Sequence, residues 1–205
     1  MGRSAENASE GMNDLWVFGY GSLMWRPGFD YEESALAFVQ GYHRALCIFS
    51  HVHRGTPERP GLVLGLDRGG SCQGVVFRVA AARRAATLAY LRERELVTSV
   101  YMEKTITARF AEGSSVEALA YVVDRAHPQY AGRLDAEEMA RLIASARGAS
   151  GDNPDYVRNT YEHLLSCGIC DEKLAAVTRA LDAASCRTAE AFADSPLRIA
   201  NGRET

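Results

Sequence analysis

Residues 15–27, LWVFGYGSLMWRP, constrain this chain more than any other stretch. Leu15, Trp16, Val17 and Phe18 form the unbroken apolar run that a fully buried strand needs. The strand then enters a glycine loop, Gly19-Tyr20-Gly21-Ser22. Two glycines around Tyr20 open φ values closed to other residues and let a ligand approach the main chain. Successive N–H groups in such a turn converge on an anion, so the loop suits a carboxylate or a developing oxyanion. It is not a dinucleotide fingerprint, because Met24 stands where the third glycine of G-x-G-x-x-G belongs, and no Gly-Lys-Ser/Thr follows to make a P-loop. Ser22 lacks the G-x-S-x-G elbow of a hydrolase nucleophile. The rest of the chain decides between a ligand loop and a plain tight turn.

Downstream, residues 35–39 and 41–50 read as consecutive strands, followed by a Pro/Gly loop over 51–61. Residues 62–66 and 74–79 read as two more strands, with Asp67-Arg68-Gly69-Gly70-Ser71 as a hairpin turn between them. So many glycines among short strands predict a small, strongly curved sheet. Residues 80–96, free of Gly and Pro, predict a helix. Alternation over 101–110 and 116–123 predicts a strand pair with a turn at 112–115. Asp135 and Glu138 form a capping box that opens a helix running to about Arg147. Further helices are expected over about 155–167 and, capped by Asp171, over 171–184. Residues 1–14 read as a disordered polar tail, 15–184 as one domain, and 185–205 as a mobile polar tail.

With 205 residues there is chain enough for a core without staples. Net charge is −3, from 23 basic and 26 acidic side chains, which argues against a nucleic-acid or membrane-surface partner. No apolar run reaches membrane-spanning length, and the polar start is not a signal peptide. Five scattered cysteines, Cys47, Cys72, Cys167, Cys170 and Cys186, make no disulfide framework; reduced thiols and a cytoplasmic location are expected. Cys167-Gly-Ile-Cys170 has the spacing of half a zinc or redox site but lacks a second pair of ligands, and Gly168 is placed to end a helix. His51 and His53 lie in a Pro/Gly loop with no third ligand evident, so no metal is assigned.

Taken together, FGYGSLMWRP, GYHRALCIFSHVHRGTPERPGLVLGL, CQGVVFRV, YLRERELVTSVY, HPQYAG and GDNPDY resemble the ChaC-like gamma-glutamylcyclotransferases, in the right order over about residues 15–181. The resemblance implies an α+β fold, a small mixed β-barrel with surrounding helices. It also implies a cytosolic enzyme whose substrate is glutathione and whose products are 5-oxoproline and cysteinylglycine.

That reaction is an internal aminolysis: the α-amine of the γ-glutamyl group attacks its own γ-carbonyl and expels the next residue's amine. It needs no enzyme nucleophile, metal or cofactor. Holding the substrate folded back provides most of the advantage, since oriented intramolecular reactions reach effective molarities of about 10⁵–10⁸ M. The protein must still remove a proton from the α-ammonium, stabilise the oxyanion and protonate the leaving amine. Glu93 and Glu95 are both candidates for the proton transfers, and they point about 200° apart on a helix. The family pattern, Arg94-Glu95 followed by Tyr101, implies Glu95, which also shares a face with Leu88 and Leu91; Glu93 remains the runner-up. Raising the Glu pKa by burial eases the transfer from an ammonium, and Trp16, Phe18, Met24 and Trp25 are available as apolar walls. The resemblance assigns substrate binding to Gly19, Tyr20, Gly21, Ser22, Leu23 and Met24, whose main-chain N–H groups are natural oxyanion donors. It also brings Tyr156 to the glutamyl group. Arg44 and Arg54 are candidates for pairing with substrate carboxylates. The rival readings are a cyclotransferase for other γ-glutamyl amines or dipeptides, and a non-catalytic module that binds γ-glutamyl groups or anions. A thiol-dependent redox or metal function at Cys167 and Cys170 comes third.

Overall fold

The computed structural model describes residues 13–96 and 99–193, with side chains through 184. Five strands close a barrel: β1 (Leu15–Gly19), β2 (Glu33–Ser50), β3 (Gly61–Val79), β4 (Tyr101–Arg109) and β5 (Ser115–Val123), in the order β1-β3-β2-β4-β5. The seam is a parallel pairing of β1 with β5, Trp16 opposite Ala118 and Val17 opposite Leu119. Every other strand of the barrel except the β3–β5 contact runs antiparallel to its partner.

The apolar run in β1 is buried on both faces. Phe18 joins the larger cluster, which includes Leu62, Leu66 and Val76 and extends to the C-terminal helices. Leu15 and Val17, offset by one position, point into a second cluster with Leu91 and Tyr121, beneath α1 (Arg84–Glu95). The continuous pattern at 15–18 follows from this two-sided cover.

The expected pairs of short strands are single long ones. Residues 35–50 lie in one strand, and so do residues 61–79; the two pair from Glu33–Arg78 to Ser50–Gly61. The expected hairpin at Asp67–Ser71 does not form, and the chain reverses in the 51–60 loop instead. Gly69 and Gly70 (φ 101° and 72°) lie opposite Gly41 (φ 83°), where the register slips between Gln40 and Tyr42. Glycines in the left-handed region on both strands bend the ribbon without reversing it, which wraps it around the barrel.

Among the described residues, four α-helices accompany the barrel. The capping box at Asp135 and Glu138 opens α2 (Ala136–Ala144). It ends before Arg147, because the chain turns into a two-stranded ribbon, β6 (Arg147–Gly148) with β7 (Gly151–Asp152). The N–H groups of Ala149 and Ser150 donate to the carbonyls of Val52 and His53, so this ribbon holds the 51–60 loop. α3 (Asn153–Ser166) is stopped by Gly168 (φ 73°), with the Ile169 N–H returning to the Leu164 carbonyl. α4 (Glu172–Ala193) is capped by Asp171, whose Oδ1 accepts from the Leu174 N–H. It continues past the expected end at Ala184. Asp14, assigned to the N-terminal tail, is fixed to Arg78 Nη1 (2.7 Å) and the Ala81 N–H. The rest of the expected tails, residues 1–12 and 194–205, lies outside the described residues, as does Cys186's side chain. No described helix is long and apolar enough to cross a membrane.

Candidate active site

Two elements, α1 and β1, bring Glu95 and the glycine loop together. Glu95 is the last residue of α1, Leu91 anchors that helix with its side chain fully buried, and the loop leaves β1 alongside. Glu95, Tyr20, Gly21, Ser22 and Leu23 line a cavity of about 180 Å³. Tyr101 from β4 and Tyr156 from α3 line it as well. Glu93 is exposed to solvent, whereas the Glu95 side chain is 17 % exposed. Burial pushes the Glu95 carboxyl above its ordinary range, and Arg94, 3.1 Å away, pulls it partly back.

Residues 22–24 make a single 3₁₀ turn. The glycines of the loop are not in the left-handed region: Gly21 has φ −138°. Gly19 is needed for close approach, since a Cβ there would lie 3.1 Å from the Leu23 Cβ. Among the described residues, the N–H groups of Ser22 and Leu23, at the start of the turn, have no acceptor.

Val63 and Leu64 of β3 also line the cavity, with Leu62 next to them in the strand. Asn153, fully buried, accepts from the Leu62 N–H (2.7 Å) and donates to the Leu62 carbonyl (2.8 Å). Three residues along α3, the Tyr156 hydroxyl accepts from the Leu64 N–H (3.2 Å), while Tyr101 donates to the Leu64 carbonyl (2.8 Å). Burial, chiefly, pushes the hydroxyls of Tyr20, Tyr101 and Tyr156 up, and proximity to Glu95 adds to it, so they remain protonated.

Several expected site residues lie elsewhere. Gly19 and Met24 are next to the cavity in sequence but do not line it. Arg44 is buried behind the loop and fully engaged: Nε donates to the Tyr20 carbonyl (2.5 Å), Nη2 to the Gln73 carbonyl (2.7 Å), and Nη1 pairs with Asp171 (3.0 Å). The Arg54 guanidinium stacks over the Tyr156 ring, 5.1 Å from its centroid. The expected apolar walls are absent. Trp16 packs on Phe110, Trp25 on His163, and Phe18 and Met24 in the core. The cavity instead has tyrosine walls, with Val63 and Leu64 between them. His53 bonds Ser150 and His51 stacks on Phe49.

Tyr121, from β5, belongs to the cavity without any functional signal in the sequence. It lines the cavity at 1 % exposure, and its hydroxyl has no hydrogen-bond partner among the described residues. Its position in the alternating AYVV strand is the only sequence signal, and that pattern marks burial rather than function.

A closed barrel carrying this cavity between the first strand's loop and a flanking helix is the gamma-glutamylcyclotransferase fold. A glutathione-specific enzyme of that name from yeast superposes with a TM-score of 0.74 at 21 % identity, over 82 % of this chain and 96 % of the yeast chain. The profile of the family described as ChaC-like protein matches residues 15–184, and the chain belongs to that family. The glutathione-specific gamma-glutamylcyclotransferase of Escherichia coli is 35 % identical over 78 % of this chain and 69 % of its own length. The human glutathione-specific gamma-glutamylcyclotransferase 1 is 38 % identical over 82 % and 78 %.

Proposed function

We propose that this protein cleaves glutathione to 5-oxoproline and cysteinylglycine, with Glu95 transferring the proton. The observation that carries the reading is a largely buried carboxyl that lines, together with the glycine loop, a cavity too small for a whole tripeptide. At about 180 Å³ the cavity lies below the ~300–1,000 Å³ typical of drug-sized ligands, so it suits a γ-glutamyl unit with the remainder outside. The family relationship supports the same substrate.

In this reading Glu95 takes a proton from the α-ammonium. The freed amine attacks the γ-carbonyl, a C–N bond closes the five-membered ring, and the oxygen becomes anionic. The Ser22 and Leu23 N–H groups meet that charge, and the unpartnered Tyr121 hydroxyl is a further donor. Glu95 gives that proton to the departing nitrogen as the original amide bond breaks. It then takes the second proton from the ring nitrogen and passes it on, so 5-oxoproline leaves as a neutral amide and cysteinylglycine as an ammonium. Electrons and protons balance between substrate and products, so the reaction requires no metal or cofactor. A carboxyl raised by burial lies closer to the ammonium's reference pKa of about 7.7–8.0 than an ordinary Glu near 4.3 does. Arg44 supports the loop through the Tyr20 carbonyl, and Tyr156 shapes the wall through Leu64. The free thiols of Cys47, Cys72, Cys167 and Cys170 fit a cytoplasmic enzyme. Mass-spectrometric detection of 5-oxoproline and cysteinylglycine after mixing pure protein with glutathione tests the proposal; intact glutathione after prolonged incubation refutes it.

A further inference from the structure

Arg94 reaches more of the site than the proton transfer itself requires. Its Nε lies 3.1 Å from Glu95 Oε1, and Nη2 donates to Ser22 Oγ at 3.0 Å. Nη1 donates to the carbonyls of Arg26 (2.7 Å) and Pro27 (3.3 Å) and to the Tyr90 hydroxyl (3.0 Å). One planar fork therefore joins the carboxyl to Ser22 of the glycine loop and to the Arg26–Pro27 stretch that follows it. A lysine ammonium, a single point on a flexible stem, cannot span those acceptors together.

Glu95 also has an electrostatic problem that this fork answers. It ends α1, where the helix dipole disfavours an anion, and its carboxyl is largely removed from water. The groups facing it from other elements are the hydroxyls of Tyr20, Tyr101, Tyr121 and Tyr156, which bring no positive charge. Arg92 and Glu103 neutralise each other beyond Tyr121. Among the described residues, Arg94 is the ion-pair partner of Glu95.

We propose that Arg94 is the positioning residue of this site: it clamps the 20–27 loop to the end of α1 and keeps Glu95 in its proton-accepting form. The inference rests on Glu95 being the base. Two distinct losses follow from its removal. Without the charge, Glu95 retains its proton to higher pH; without the fork, the loop loses its fixed distance from the carboxyl.

The test compares full-length wild type with Arg94→Gln, Arg94→Lys and Ser22→Ala. Carbon NMR of labelled Glu carboxyls, with the Glu95 signal assigned from its loss in Glu95→Gln, follows the titration without requiring turnover. In Arg94→Gln the Glu95 midpoint should rise by about one pH unit or more, and the acid limb of kcat/KM should move with it. In Arg94→Lys the midpoint should stay near wild type while KM for glutathione rises several-fold. Ser22→Ala should raise KM less and leave the limb in place. An unchanged Glu95 midpoint in folded Arg94→Gln overturns the proton-holding role, and a wild-type KM in Arg94→Lys overturns the clamp. If Arg94→Gln does not fold, a rise in the Arg94→Lys midpoint equal to that expected for Gln overturns the electrostatic role, because Lys keeps the charge. Wild-type protein that leaves glutathione intact counts against the function itself, while the NMR titration still decides whether Arg94 holds Glu95.

Discussion

At Glu95, burial and ion pairing act in opposite directions on one carboxyl. Burial is the larger influence, so the protonated form is favoured in the folded protein relative to the unfolded chain. The stability this contributes is present below the unfolded pKa, about 4.3, and is lost as pH rises through the higher folded value. Above that folded value the ionised Glu95 works against folding. Glu95→Gln keeps the shape and removes the charge. Its turnover should fall by roughly 10²–10⁴, while its Tm at neutral pH should equal or exceed wild type. Glu93→Gln, altering an exposed side chain, should turn over glutathione normally. Parallel kinetics and melting curves check all three; loss of activity in Glu93→Gln with none in Glu95→Gln would exchange the assignments. In wild type, activity should decline on acidification at a pH above the ordinary carboxylate range, as Glu95 takes up its proton. That Glu95 is the more buried of the two glutamates was legible from helical phase, because it shares a face with Leu88 and Leu91. The actual surroundings of Glu95 were not, since four tyrosines from four separate segments supply them.

Among the elements, α3 and β3 show how a distant helix sets the site. Asn153 satisfies both main-chain groups of Leu62, and the helical step from 153 to 156 then places the Tyr156 hydroxyl on the Leu64 N–H. Asn153→Ala would strand a buried N–H and a buried carbonyl, at a cost of about 1–3 kcal/mol for each unsatisfied group. Denaturant unfolding should show that loss, and KM should rise because Tyr156 and Leu64 lose their register. A variant with wild-type stability would mean that water replaces the amide. GDNPDY announced a helix start and a family match, but nothing local revealed that its Asn caps a strand about 90 residues earlier. The long ribbon departs from the expected hairpin for a related reason. Gly69-Gly70 is good hairpin chemistry, and only its pairing opposite Gly41 turns a reversal into a bend. Arg44 was equally opaque: its charge suggested a substrate carboxylate, yet its partner Asp171 lies in the cap of α4.

For the molecule as a whole, the barrel supplies one wall and the helices complete a cavity of about 180 Å³, which in the proposed function takes the reacting unit alone. That unit comprises an α-amine, an α-carboxylate and a γ-carbonyl in one folded geometry. An α-glutamyl peptide offers its amide carbonyl too near its own amine for five-membered closure, so it should remain intact. N-acetyl glutathione should also be inert, because acylation removes the attacking lone pair even where binding survives. Simple γ-glutamyl dipeptides fill the cavity yet lack the cysteinylglycine that would extend across its mouth. They should react more slowly than glutathione, since binding energy from remote substrate parts helps align the reacting centre. Glutathione disulfide carries a second tripeptide on the sulfur, and a mouth that fits one tripeptide should turn it over poorly. Relative kcat/KM values measured from 5-oxoproline release should therefore place glutathione first, dipeptides clearly lower, and the disulfide and N-acetyl forms near zero. Faster turnover of γ-glutamyl dipeptides would move the assignment to a cyclotransferase of broader range. Turnover of the N-acetyl form would remove internal aminolysis as the mechanism, because no amine would be left to close the ring.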